Sequence, residues 1–128
     1  MIDISSPGDA VLQFLTDRHL ATLTTLRADG SPHVVPVGFS YSPIDRTVRV
    51  ITFATSMKAR HAARGGRAAV SQVDGGRWLT LEGRVRLVTD AAAVAAAVEG
   101  YAARYRQPSE RVDRVAIEIQ VDRIMGRA

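Results

Sequence analysis

Lys58 is the one lysine among 17 basic side chains, and it stands two residues after Ser56, where the chain changes pattern. Before it, Arg49-Val50-Ile51-Thr52-Phe53 is β-branched and aromatic, the composition of a buried strand. After it, Lys58-Ala59-Arg60-His61-Ala62-Ala63-Arg64 contains good helix formers, and Gly65-Gly66 ends the run. Ser56 suits the N-cap between the two. A helix start leaves backbone N–H groups unpaired, and its dipole favours an anion there. A cation in the first helical turn is badly placed for the helix itself and well placed for an incoming anion. Ser56, Lys58 and the local amides therefore read either as an anion clamp or as a solvated surface turn. No Gly-x-x-x-x-Gly-Lys pattern is present, so the turn is not a P-loop. No Ser-His-Asp set or carboxylate pair is evident, and no catalytic residue is assigned. The histidines lack acids at ligand spacing, so no metal site is expected.

A chain of 128 residues with 46% apolar side chains forms one domain with one core. It has no cysteine and no apolar run of membrane-spanning length. With no signal-peptide pattern at its start, the expectation is a soluble cytoplasmic protein without a membrane partner. The formal charge is +4, and between Asp45 and Arg86 the only acids are Asp45, Asp74 and Glu82. A basic middle could meet nucleic acid. No nucleic-acid-binding motif accompanies it, so a small anionic ligand is the better reading.

The elements that must position Lys58 follow in order. Ser6-Pro7-Gly8-Asp9 reads as a helix start, with Val11, Phe14 and Leu15 on one face and an end near Arg18-His19. Strands are expected over Leu20–Arg27, His33–Ser42, Thr47–Phe53, Arg67–Asp74, Arg77–Thr89 and Arg114–Met125. In the second, Val35, Val37, Phe39 and Tyr41 share a face. Pro36 on the other marks an edge, a bulge or a bound group. In the fifth, Leu79, Leu81, Val85 and Leu87 face the core, leaving Trp78 on the polar face, where an interface or a stacking role competes with simple capping. Asp90 caps an alanine-rich helix to about Arg106, whose stripe of Val94, Val98, Tyr101 and Tyr105 reads as core contact. In the last strand Glu118, Gln120 and Asp122 point outward. Hairpins with an apolar interior and flanking helices predict a mainly β fold, a small barrel.

Three stretches carry a resemblance. They are Leu20 to Phe39, Arg49 to Ala59, and Ser71-Gln72-Val73-Asp74-Gly75-Gly76-Arg77-Trp78-Leu79-Thr80-Leu81-Glu82-Gly83. Over nearly its whole length the chain resembles the split β-barrel flavin and deazaflavin oxidoreductases, the pyridoxamine-oxidase-like group. The third stretch resembles the actinobacterial biliverdin reductases that use the deazaflavin coenzyme F420. The resemblance implies a homodimer with coenzyme F420 at the subunit interface and hydride transfer to a conjugated anionic acceptor such as biliverdin. Pro36, Val37, Val50, Ile51 and Thr52 would line the ring. Ser56, Met57, Lys58 and Ala59 would hold the phosphate, and Gln72 and Trp78 would reach across the dimer. Relatives carry an arginine at the Ser56 position, so the clamp here is less charged, and Arg60 or Arg64 is left to meet the coenzyme tail. Phe39 and Trp78 would border the acceptor, with Arg77 or Arg84 on its carboxylates. The same fold also accommodates FMN or a non-catalytic haem-binding role.

Overall fold

The computed structural model describes residues Met1–Ala128. It contains helix α1 (Asp9–Thr16), strands β1 (Ala21–Leu26), β2 (Pro32–Val37), β3 (Ser40–Ser42) and β4 (Thr47–Phe53), helix α2 (Met57–Ala63), strands β5 (Arg67–Asp74) and β6 (Arg77–Val88), helix α3 (Ala91–Arg104) and strand β7 (Arg114–Arg127). All seven strands form one antiparallel sheet in the order β2-β1-β5-β6-β7-β4-β3. The fold is mainly β with flanking helices. Its alternating inward side chains, among them Leu23, Val48, Val50, Val70, Leu79, Leu81, Ile117 and Ile119, pack with Phe14 and Phe39 into one core.

The hydrogen-bonded ladder does not close on itself. β2 is one edge, and its chain crosses through Gly38-Phe39 to β3 at the other. The expected second strand is thus two strands. At the break, helix α3 supplies the partners that a ladder would have given. Tyr105 Oη accepts from Phe39 N–H (3.1 Å), and Arg104 Nη1 donates to Phe39 C=O (2.9 Å). Arg104 also donates to Asp17 C=O and Gln72 Oε1. A buried guanidinium is thereby satisfied by neutral acceptors from three other parts of the chain.

Other expectations shift for local reasons. Helix α1 starts after Gly8, not at Ser6, and has no side-chain cap. Asp3 takes the Ser5 N–H and hydroxyl, and Ser6 N–H donates to Asp3 C=O, so these residues form a separate turn. In β7, Glu118 stands outside the core cluster, on the opposite face of the sheet, yet is buried, held by Arg49 and Arg86. The β6–β7 register shifts at Glu82/Gly83, which puts Ile124 back into the core. Gly83 is needed there, because a methyl group would run into the Gln120 carbonyl.

Candidate functional site at the sheet seam

Beyond Arg49, β4 has no partner on its β3 side, and β2 has none on the side away from β1. Two free strand edges therefore border one seam. Ladder alternation fixes which groups face it. Arg46 C=O accepts from Val121 N–H, and Ala54 N–H donates to Asp113 C=O, so even-numbered residues of β4 bond toward β7. The N–H and C=O of Ile51 consequently turn to the seam. On β2 the same logic turns the Pro36 carbonyl outward. Proline has no N–H to leave unpaired at that edge, which is the physical reason it is tolerated there.

A cleft of about 340 Å³ occupies the seam, lined by Pro36, Val37, Gly38, Val50, Ile51, Thr52, Phe53, Lys58, Tyr101, Pro108, Ser109, Arg111 and Arg114. Three of these are cations, and none is a carboxylate. Lys58 and Arg114 form no ion pair, whereas Arg111 is bound by Asp113 and lies over the Phe53 ring at 4.5 Å. Uncompensated positive charge beside unpaired backbone groups favours a polar, anionic ligand. Gly38 allows the wall to close, since a methyl group there would stand 3.0 Å from the rings of Tyr101 and Tyr105.

The turn at the helix start is built as the sequence predicts, but its groups are divided. Ser56 caps α2, accepting from Ala59 N–H (3.2 Å) and from Thr52 Oγ1–H (2.9 Å). Ser56 and Ala59 are buried, and the Ala59 amide is therefore committed inside the protein. The N–H groups of Met57 and Lys58 keep no internal acceptor. The Met57 side chain is exposed and does not line the cleft.

Pro36, Val37, Val50, Ile51, Thr52 and Lys58 thus meet around one cleft; other expected site residues do not. Gln72 is buried, with Nε2 donating to Phe14 C=O and Oε1 accepting from Arg104, so it cannot extend to a partner. Phe39 is fully buried beneath Arg104, not at an opening. Arg64 donates to Leu26 C=O, away from the cleft. Arg77 pairs with Asp74 and lies over Phe14. Trp78 pairs with Arg127, at the opposite end of β7 from Arg114. Within this chain neither Arg77 nor Trp78 reaches the cleft.

Tyr101, Arg111 and Arg114 join the cleft although the sequence pattern assigns none of them to a site. Tyr101 belongs to the helical stripe read as core contact, but the buried residues of α3 are Ala97 and Arg104. The signal was the stripe's mixed character, with two hydroxyl-bearing rings at its C-terminal end. His33 and His61, distant in sequence, pack edge to face at 4.8 Å. His61 also shares a hydrogen bond with Thr25 Oγ1 (2.8 Å). Burial, aided by His33, holds the His61 imidazole below its ordinary pKa.

The F420H(2)-dependent biliverdin reductase of Mycobacterium tuberculosis is 54% identical over 121 residues, covering 94% of this chain and 88% of that protein. Among solved structures, a conserved hypothetical protein of Mycobacterium tuberculosis aligns with a TM-score of 0.77 at 23% identity, covering 91% of this chain and 81% of that one. An F420 reductase aligns with a TM-score of 0.72 at 24% identity, covering 94% and 98% respectively. Both structures have the same fold as this chain. The pyridoxamine 5'-phosphate oxidase model matches residues 8–127, and the chain belongs to that family.

Proposed function

We propose that this protein is a reductase that takes hydride from reduced coenzyme F420 and delivers it to a conjugated acceptor, biliverdin or a similar tetrapyrrole. The observation that carries the reading is the seam cleft, with unpaired backbone groups on one wall, three cations and no acid. The 54% identity to a reductase of that description supports the same coenzyme and acceptor. A flavin-like ring presents an edge of alternating donors and acceptors. Ile51 N–H and C=O and the Pro36 carbonyl have the complementary polarity. Lys58, with the free Met57 and Lys58 amides, would take the phosphate. The bound coenzyme supplies the hydride. The chain binds and orients the ring and excludes water from the seam. No carboxylic acid lines the cleft, and no catalytic acid is assigned; solvent can supply the proton that completes the reduction. A soluble reduced coenzyme as donor fits a cytoplasmic reaction.

The test is a side-by-side titration with F420 and FMN, followed by anaerobic mixing of protein, reduced F420 and biliverdin. Tighter binding of F420, with bilirubin and oxidised coenzyme forming together, is the expected result. Preference for FMN would remove the coenzyme assignment. Tight F420 binding with rapid reduction of a quinone and none of biliverdin would remove the acceptor.

A further inference from the structure

A second groove, of about 740 Å³, continues from the seam cleft and shares Arg111 and Arg114 with it. Its wall is the half-buried pair Val94 and Val98 of α3, together with Val112, whose side chain is fully exposed. Val94, Val98 and Tyr101 lie on one helical face, so a single stripe runs from the second groove into the first. Glu110 is the one acid at the rim. The two arginines at the junction differ. Arg111 is held by both carboxylate oxygens of Asp113, while Arg114 is half-buried and makes no side-chain hydrogen bond or ion pair. An apolar wall ending at an unpaired guanidinium matches a ligand that is flat and apolar along its length and carboxylated at one side.

We propose that this second groove is the acceptor site. It takes an extended conjugated carboxylate laid on Val94, Val98 and Val112, with its carboxylate on Arg114. The proposal rests on the coenzyme reading for the neighbouring cleft, because the junction puts the acceptor beside the reacting ring. The groove's size suits a molecule larger than the ring that the 340 Å³ cleft can hold. Along α3 the groove offers Ala91, Val94, Ala95 and Val98 and no cation; its two arginines stand at the junction with the cleft, which suits an apolar body with a carboxylate at one side better than a polyanionic tail.

The probe is biliverdin, titrated by absorbance into the whole protein without coenzyme, so that binding is read apart from turnover. Val98→Glu and Val112→Glu place a carboxylate on the wall, and each should weaken biliverdin binding about tenfold or more, a change of about 1.4 kcal/mol. Val112→Lys should leave binding unchanged or tighten it. F420 affinity and molecular mass should stay at wild-type values in all three. Biliverdin binding that is absent in wild type, or equal in all variants, overturns the proposal. Weakened F420 binding with biliverdin unaffected assigns the groove to the coenzyme and overturns it as well. A fall in molecular mass makes this face a contact between copies and has the same consequence. Failure of wild type to bind F420, with the biliverdin pattern intact, refutes the coenzyme reading while keeping the groove.

Discussion

At the scale of single residues, Lys58 carries the most specific expectation. It lines the seam cleft with no acidic partner, and its removal leaves no buried group unpaired. Lys58→Ala should keep the fold and raise the F420 dissociation constant on the order of 10- to 100-fold, the worth of one charge-assisted contact. Unchanged affinity in a folded variant, measured by fluorescence titration, would remove the clamp. His61 gives a pH dependence. Its imidazole is held below the ordinary value near 6.5, chiefly by burial. As pH falls through about 6.5 the unfolded chain takes up a proton that the native imidazole resists. Stability should therefore be flat above neutrality and decline as pH drops from about 6.5 toward the folded-state value. Denaturant unfolding at several pH values should give this slope in wild type and a shallower one in His61→Asn; equal slopes would refute the assignment. Ser56 and Lys58 were legible because a strand-to-helix switch is a local signal. Arg111 and Arg114 were not. They lie after α3, and only the return of the chain along β4 brings them to Lys58.

At the scale of elements, local pattern served best where side-chain alternation alone sets the boundaries. β4 and β5 begin and end where the alternating pattern puts them, at Thr47–Phe53 and Arg67–Asp74. It failed where tertiary contacts override it. Gly38-Phe39 leaves the ladder because Arg104 and Tyr105 offer better partners. The α3 stripe lines grooves because small residues on another face, Ala97 and Gly100, dock the helix on the sheet. That docking can be tested at Gly100. Alanine would gain about 1 kcal/mol of helix propensity. Its methyl, however, would collide with Ser40 Oγ and come within 2.9 Å of Ser40 Cβ, which cannot rotate away. Overpacking of this kind costs about 1–3 kcal/mol, so the clash should win and Gly100→Ala should lower Tm. Adding Ser40→Gly removes the obstacle. The double variant should then recover most of the loss relative to Gly100→Ala, less the cost of glycine in β3. A single variant more stable than wild type would mean α3 can shift freely on β3.

At the scale of the whole molecule, one protomer does not gather every residue that the family resemblance assigns to the site. Lys58, Arg111 and Arg114 line the cleft, while Arg77 and Trp78 sit at the other end of the β6–β7 ladder. The cleft is bounded on one side by β2, an edge strand whose outer face is unusually apolar for a solvated surface. Val34 is 56% exposed, and Leu26 on β1 is 43% exposed. Thr22, Thr24 and Ser71 extend that face along the β2–β1–β5 pairing, with Arg67 and Glu82 flanking it. Such a face next to a half-walled cleft is what a two-fold partner would cover, burying about 800 Å² per copy in an interface of ordinary size. We therefore expect a homodimer in solution, with the partner completing the cleft beyond β2. Light scattering should give twice the chain mass. Val34→Glu puts a charge on the edge strand of this face without touching the core. It should yield a folded monomer whose F420 affinity falls at least tenfold, because half of the site is lost with the partner. A wild-type monomer, or a Val34→Glu protein that remains dimeric, would rule out this face. A monomeric Val34→Glu protein with full affinity would mean that one chain forms the whole coenzyme site, and Trp78 and Arg77 would then have no part in it.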